Sequence, residues 1–240
     1  MKLDYYCYTN KGGQRINEDS IGSVINENDA VFVVADGLGG HNCGELASSS
    51  VIVTFEDYWD TFKGTLEDKI SIMAEKANET ILSLQNEKNT IMKSTLALCA
   101  IQDGKAVIAN TGDSRVYYFH NNELAACTED HSVAYKKYKA GEITRDMLGT
   151  DEDQSSLLRV LGNPERYEPD IISIGNELTL GDAFVLCSDG MWEYIRDEEM
   201  QIDLLKSKDS KHWSELMRTR AMDRISNGND NLSLFTVIVG

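Results

Sequence analysis

The sequence predicts an α+β protein in which antiparallel sheets are layered with helices. Short apolar segments typical of strands recur along the chain, and most of them are joined by short turns. Segments with the helical spacing of apolar residues come in separate blocks between them. Because strands joined by short turns pair antiparallel, this order argues against a doubly wound parallel sheet. We expect one domain over residues 1–240.

The first half of the chain contains three predicted strands, two helices and a hairpin. The continuous apolar run from Ala30 to Asp36 is typical of a buried strand. Asp103-Gly104 is a two-residue hairpin signal, so the segments on either side are predicted to pair. The predicted strands are Tyr5–Thr9, Asp19–Ile25, Ala30–Asp36, Ser94–Gln102 and Lys105–Gly112, and the helices are Gly44–Phe62 and Leu66–Gln85.

The second half begins with another hairpin, which a polar segment then interrupts. Residues 130–160 lack the strand pattern and are partly helical in character. An insertion of about thirty residues inside a compact domain is usually functional. The predicted strands are Arg115–Phe119, Leu124–Cys127, Ile171–Leu178, Ala183–Asp189 and Leu232–Val239, with a helical segment at Asp197–Ser226.

The composition limits which partners the protein can bind and which compartment it is expected in. With 40 acidic and 23 basic residues, the net charge is −17, which argues against nucleic acid and anionic membranes as partners. No apolar run reaches the roughly 18 residues of a membrane span, and MKLDYYCYTN lacks the apolar core of a signal peptide. The five scattered cysteines contain no C-x-x-C pair and argue against a disulfide scaffold or a zinc site. We therefore expect a cytoplasmic protein.

Acidic residues stand at the ends of four apolar strands, and they are Asp36, Asp113, Asp189 and Asp230. If these strand ends share one rim, their carboxylates form an oxygen-rich pocket for hard divalent cations. Two like charges about 4 Å apart repel by about 4 kcal/mol at an effective dielectric near 20, so converging acids need protons or cations. A lone Asp-Gly is more often a turn, as at Asp103-Gly104. Asp36-Gly37 differs because Leu38-Gly39-Gly40-His41 follows it and leads into a helix.

Arg15, in the segment GGQRINEDSIG, has two interpretations. It is either an exposed arginine in a turn or a planar, permanently charged group for bidentate phosphate recognition. The motif alone does not decide between them.

In chain order, these residues resemble the motif series of protein phosphatase 2C, the metal-dependent serine/threonine phosphatases, and especially its compact bacterial type. The likeness runs from about residue 5 to the C-terminus, and the ordered set is far more specific than any one motif. The motifs are Arg15-x-Asn17-Glu18-Asp19, Asp36-Gly37-Leu38-Gly39-Gly40-His41, Asn110-x-Gly112-Asp113-Ser114-Arg115, Asp130-His131-Ser132, Arg159-x-Leu161-Gly162, Ser188-Asp189-Gly190 and Asp230-Asn231.

The resemblance implies a four-layer αββα sandwich, in which two stacked antiparallel sheets are flanked by helices and a cleft at one end holds two to three Mn²⁺ or Mg²⁺ ions. Asp36 would bridge two of these ions. Asp189 and Asp230 would complete the ligands of the first, and Asp19 with the carbonyl of Gly37 would serve the second.

The remaining implied roles concern a third ion, the substrate and the flap. Asp113, with Asp189, would hold a third and weaker ion, and Arg15 would bind the substrate phosphate. Residues 133–158 would form a flap beside the cleft. A water bridging two cations would then attack phosphorus in line, so Asp36 and Arg15 are the expected catalytic residues.

The implied substrates are proteins phosphorylated on serine or threonine by a kinase, and we expect a monomer. Leu38 stands where eukaryotic members carry a histidine proposed as general acid, and His41 is a possible proton donor. Lys93-Ser94-Thr95 replaces the frequent Gly-Thr-Thr without removing a ligand. Three alternatives stay open: a non-catalytic module that binds phosphoproteins, an aspartyl-phosphate enzyme, which normally needs an Asp-x-Asp that is lacking here, and a phosphatase for one specialised partner.

Overall fold

The computed structural model describes residues 1–27, 29–40, 43–225 and 228–240. Its strands are β1 (Leu3–Asn10), β2 (Asp19–Ile25), β3 (Asp29–Gly39), β4 (Met92–Ser94), β5 (Leu96–Gln102), β6 (Lys105–Thr111), β7 (Arg115–His120), β8 (Glu123–Cys127), β9 (Asp170–Ser173), β10 (Ala183–Cys187) and β11 (Leu232–Val239). Its helices are α1 (Cys43–Tyr58), α2 (Leu66–Lys88), α3 (Val133–Lys139), α4 (Asp189–Trp192), α5 (Asp197–Lys206) and α6 (Ser210–Arg224).

The strands form two antiparallel sheets. One has the order β1-β11-β10-β7-β8, and the other has the order β2-β3-β5-β6-β9, with β4 paired to β3. Antiparallel pairing throughout agrees with the short connections in the sequence. The predicted α+β class, with two antiparallel sheets flanked by helices, is confirmed.

Alternation along the strands builds three apolar layers. On β3, Val31 and Val33 pack with α1 and α2, whereas Phe32 and Val34 pack against residues of the other sheet, such as Phe235. The outer face of that second sheet packs with α5 and α6 around Trp213. Successive side chains of a strand point to opposite faces, so each sheet buries both of its faces.

The predicted elements differ from the observed ones mainly at their ends. The β3 strand continues past Asp36 to Gly39, because Gly37–Gly39 pair with β4. Ile171–Leu178 forms a strand only to Ser173. The predicted helix Asp197–Ser226 is two helices, α5 and α6, and its last residue lies outside the described residues.

The predicted flap, residues 133–158, is closed at its base by backbone hydrogen bonds. The amide of Val133 donates to the carbonyl of Ser156, and the amide of Leu158 donates to that of His131. Ala134 and Leu148 are buried in the core around Trp213. The flap is therefore packed onto the sandwich rather than free. In the described part of the chain, no helix is long and apolar enough to cross a membrane.

Lys69 of α2 is buried at the start of β3, where it neutralises Asp29. Its Nζ lies 2.8 Å from Oδ2 of Asp29 and 4.0 Å from the ring centre of Trp59. The Trp59 indole donates to the other carboxylate oxygen at 3.0 Å. Removing one member of a buried ion pair leaves its partner uncompensated, which is the costly change.

We expect Lys69→Met to lower the free energy of unfolding by about 3 kcal/mol, because Asp29 loses its cation. The measurement is urea unfolding at neutral pH. Lys76→Met is the matched control on the same helix, since Lys76 lies over the Tyr58 ring at 3.9 Å and its loss is expected to cost at most about 1 kcal/mol. Equal losses in the two variants would contradict this account of Lys69.

Candidate active site

Asp19 and Asp36 form a cross-strand pair at one end of the sandwich. They are direct partners in the antiparallel register of β2 and β3, so their Cβ atoms are about 5 Å apart. Asp36 shares its strand face with Phe32 and Val34, which pack between the two sheets. Asp19 is buried, with 6% of its surface exposed. Both carboxylates therefore lie at the mouth of the inter-sheet layer.

Three further acids lie at the same end because of the antiparallel connections. Asp113 is buried in the turn between β6 and β7, and Asp189 is the first residue of α4, directly after β10. Asp230 is exposed, two residues before β11. Asp189 and Asp230 each accept a hydrogen bond from the amide of the following residue, at 2.6 and 2.8 Å.

The pKa values of these acids show that the carboxylates interact. Burial raises the pKa of Asp36 well above its ordinary value, and the charges of Asp19, Asp189, Asp113 and Asp230 raise it further. Burial also raises the pKa of Asp19 to about 7 and that of Asp189 to about 6. The Asp113 pKa is raised by burial and then by Asp189. Without a counter-charge, the group retains protons that divalent cations would displace.

The donor set fits hard divalent cations. Oδ1 of Asp19 is buried and has no hydrogen-bond partner among the described residues, and hydrogen bonding with Asp36 opposes the rise in the pKa of Asp189. Carboxylate and carbonyl oxygens are the ligands that Mg²⁺ and Mn²⁺ prefer. Within residues 1–27, 29–40, 43–225 and 228–240, no three acidic, histidine or cysteine side chains already have the geometry of a metal cage. The carboxylates are thus gathered, but not arranged around a point.

Gly37 directly follows Asp36 and lies where the backbone is tightly packed. A Cβ at this position would lie 2.0 Å from the carbonyl oxygen of Gly44 and 2.7 Å from that of Glu18. The Gly37 amide donates to the Glu18 carbonyl at 3.1 Å. Only glycine fits where three backbone segments meet this closely.

Two hydroxyl residues, whose roles the sequence did not indicate, hold the acids in place. The Asp36 amide donates to Oγ1 of Thr95 at 2.9 Å, and Thr95 in turn contacts Oγ of Ser114 at 2.7 Å. Ser188 donates to Oδ2 of Asp19 at 2.8 Å. Thr95 lies in Lys93-Ser94-Thr95, so the departure from Gly-Thr-Thr keeps this contact. Its neighbour Ser94 pairs with Leu161.

Arg15 lies in the loop between β1 and β2 and is exposed. Its side chain has no hydrogen bond or ion pair with another residue that the structure describes. Asn231 fixes the loop, because its side chain donates to the carbonyls of Lys11 and Ile16 and accepts from the amide of Glu18. Since Asn231 follows Asp230, the loop carrying Arg15 borders the acidic cluster.

A buried cation lies behind the cluster. Arg115 forms two hydrogen bonds of 2.6 Å with Asp130 and stacks 3.5 Å from the ring centre of Trp192. The Trp192 indole donates to the Asp113 carbonyl at 2.9 Å. Next to it, burial raises the pKa of Glu193 to about 8, and the charges of nearby acids add to the rise. No sequence motif indicated Glu193.

A cleft of about 600 Å³ lies between the flap and the α4–α5 segment. Its lining includes Gly149 of the flap and Glu193, and a Cβ at Gly149 would lie 2.9 Å from the Glu193 side chain. Basic flap residues pair within the chain: Lys137 with Asp151 and Asp153, Lys139 with Glu129, and Arg145 with Asp197. These pairs leave little free positive charge on the flap. The possible proton donor His41 lies outside the described residues.

Comparison with known proteins places the whole arrangement in one family. A family profile described as protein phosphatase 2C matches residues 9–232. The serine/threonine phosphatase stp of Listeria welshimeri is 32% identical over 230 residues, which cover 92% of this chain and 89% of that protein.

Solved structures of other phosphatases match this chain over almost its whole length. The Streptococcus agalactiae serine/threonine phosphatase superimposes with a TM-score of 0.86 at 26% identity, covering 100% of both chains. The catalytic domain of the serine threonine protein phosphatase PstP, in complex with 2 manganese ions, has a TM-score of 0.84 at 25% identity, covering 98% of this chain and 97% of that one. The chain belongs to the protein phosphatase 2C family.

Proposed function

We propose that the chain is a metal-dependent protein phosphatase that hydrolyses phosphoserine and phosphothreonine in proteins. The observation that carries the proposal is the convergence of five carboxylates, those of Asp19, Asp36, Asp113, Asp189 and Asp230, with raised pKa values for four of them. Family membership and the relatives named serine/threonine phosphatase support the reaction class.

The proposed ligands divide among two main ions and a weaker third. Asp36 would bridge the main pair, with Asp189 and Asp230 on the first ion and Asp19 and the Gly37 carbonyl on the second. These assignments are supported by the unpartnered oxygen of Asp19 and the tight approach at Gly37.

Asp113 would share the third ion with Asp189. Burial, and then the charge of Asp189, raise the pKa of Asp113. When bound, Mn²⁺ or Mg²⁺ ions supply an acidified water as the nucleophile and positive charge for the phosphoryl oxygens. Two such ions neutralise four charges, which relieves the repulsion among the acids.

The protein residues position and bind the substrate. Arg15, exposed beside the cluster, would take two phosphate oxygens in its planar guanidinium, so that phosphorus faces the acids. The buried Arg115 does not do this, because its guanidinium is already paired with Asp130. A separate side-chain nucleophile is not needed, so this mechanism forms no phospho-enzyme.

The non-catalytic alternative predicts loss of one or more acids, and all of them are present. An aspartyl-phosphate enzyme requires a second Asp two residues after the first, and Leu38 stands there. A single domain over residues 1–240, a cytoplasmic location, a monomeric state and substrates of a serine/threonine kinase stay predictions.

We expect Asp36→Asn to lower kcat about a thousandfold on p-nitrophenyl phosphate and on a phosphothreonine peptide, because the bridging charge is lost. A chelator should abolish the activity of the unaltered protein, and Mn²⁺ should restore it. The assay is phosphate release at fixed Mn²⁺ concentrations.

Asp103→Asn is the matched control for that substitution. It changes the same residue type in another Asp-Gly pair, at a hairpin position with φ 49° that asparagine tolerates. Its activity should equal that of the unaltered protein. Turnover that persists in chelator, or that survives in Asp36→Asn, refutes the metal mechanism. Inactivity of the unaltered protein under every condition favours the binding module.

We expect Arg15→Lys to raise the KM for both substrates and the inhibition constant of inorganic phosphate about tenfold, because an ammonium cannot form two parallel hydrogen bonds. The exposed Arg166 provides the control Arg166→Lys, which should change neither constant. Steady-state kinetics with phosphate as a competitive inhibitor measure both. If the two variants behave alike, Arg15 is an ordinary loop residue.

A further inference from the structure

His131 is a buried histidine that the proposed mechanism does not use. Only 7% of its surface is exposed. It stands between β8 and the flap, in the segment Asp130-His131-Ser132. A buried imidazole whose ring nitrogen accepts from a backbone amide can fix the position of that backbone.

One side of His131 holds the residue before Asp113. The Gly112 amide donates to Nδ1 of His131 at 3.2 Å, and the His131 amide donates to the Gly112 carbonyl at 2.8 Å. Gly112 has φ +97°, and a Cβ there would lie 2.7 Å from the Thr95 side chain. With the Asp113 carbonyl bound by Trp192, both ends of this turn are fixed, and with them the backbone from which the Asp113 carboxylate extends.

The other side of His131 faces Asp170, the first residue of β9, and the end of the flap. Its Nε2 lies 3.0 Å from Oδ2 of Asp170, without the alignment of a full hydrogen bond. Arg159 donates to the other oxygen of Asp170 at 2.5 Å, and the His131 carbonyl accepts from the Leu158 amide at 2.7 Å. Burial lowers the pKa of His131, so the neutral ring accepts at Nδ1 and carries its proton on Nε2.

We propose that His131 is a positioning residue for the third cation site: through Gly112 it orients the Asp113 carboxylate, and through Asp170 and Leu158 it links that carboxylate to the C-terminal end of the flap. The inference rests on the proposed role of Asp113 as a ligand. A residue with a purely structural role would change stability and leave cation affinity unaltered.

Two substitutions separate the two sides of the ring. The amide oxygen of His131→Asn can take the place of Nδ1 and keep the Gly112 contact, whereas the amide nitrogen of His131→Gln replaces only Nε2. We expect the Gln variant to lower the affinity for the most weakly bound Mn²⁺ about tenfold, which is the size of effect seen for residues that orient a metal ligand. The Asn variant should weaken it about threefold, the equivalent of a weak hydrogen bond.

The measurement is Mn²⁺ titration of the metal-free protein, with unbound Mn²⁺ counted by electron paramagnetic resonance. A parallel assay follows p-nitrophenyl phosphate hydrolysis against Mn²⁺ concentration, in which saturating Mn²⁺ should restore kcat in the Gln variant with KM unchanged. If the Gln variant binds Mn²⁺ as well as the Asn variant does, the proposal is wrong.

Asp170→Asn protects the test against misfolding, because this side chain is 49% exposed. It should lower the affinity for the same ion about threefold, the equivalent of a weak hydrogen bond. Unchanged affinity would overturn the link through Asp170. Asp113→Asn separates this inference from the proposed function. If Asp113→Asn leaves all Mn²⁺ binding unchanged, the assignment of Asp113 as a ligand is wrong. If Asp113→Asn weakens binding of the third ion and the His131 variants do not, the proposed role of His131 is wrong.

Discussion

The buried pair of Arg115 and Asp130 is the interaction on which the acidic end of the molecule depends. Both side chains are almost fully enclosed, at 2% and 1% exposure. Arg115 belongs to β7, Asp130 follows β8, and the stacked Trp192 belongs to α4, so the pair joins three separate elements. Breaking a buried ion pair costs much free energy, because the remaining charge is neither solvated nor paired.

The positive charge of Arg115 also affects the pKa values of acids near the site. The guanidinium lowers the raised pKa values of Asp113 and Glu193, opposing the effect of their burial. Through Trp192 it fixes the Asp113 carbonyl from one side, while His131 fixes Gly112 from the other. The turn that carries Asp113 is therefore supported by packing from the second sheet and by hydrogen bonding from the flap base.

Much of the fold could be predicted because burial leaves a pattern in the strands. The bounds of β2 and β11 were predicted as observed, and β11 has a clear apolar run that follows a polar turn. The end of β3 could not be, because Gly37–Gly39 carry almost no side-chain pattern and pair through backbone alone. The short β4 was missed because three residues are too few to show a period.

The candidate site divides in a similar way. Asp36, Asp113 and Asp189 follow apolar runs, so sequence position alone suggested them, while Asp19 required the motif resemblance and is explained only by its register opposite Asp36. Thr95 and Ser188 stand in quoted motifs, but their roles could not be predicted, because a hydroxyl gains its role from partners far along the chain. Ser188 and Asp19 are separated by 169 positions.

The position of β11 has a consequence for folding. This strand begins two residues after Asp230 and lies between β1 and β10 in its sheet. Until it pairs, the facing edges of β1 and β10 are exposed, and Asp230 is not held beside the other acids. The acidic cluster is therefore complete only once these three strands have joined, however well the segments that carry the other four acids have folded.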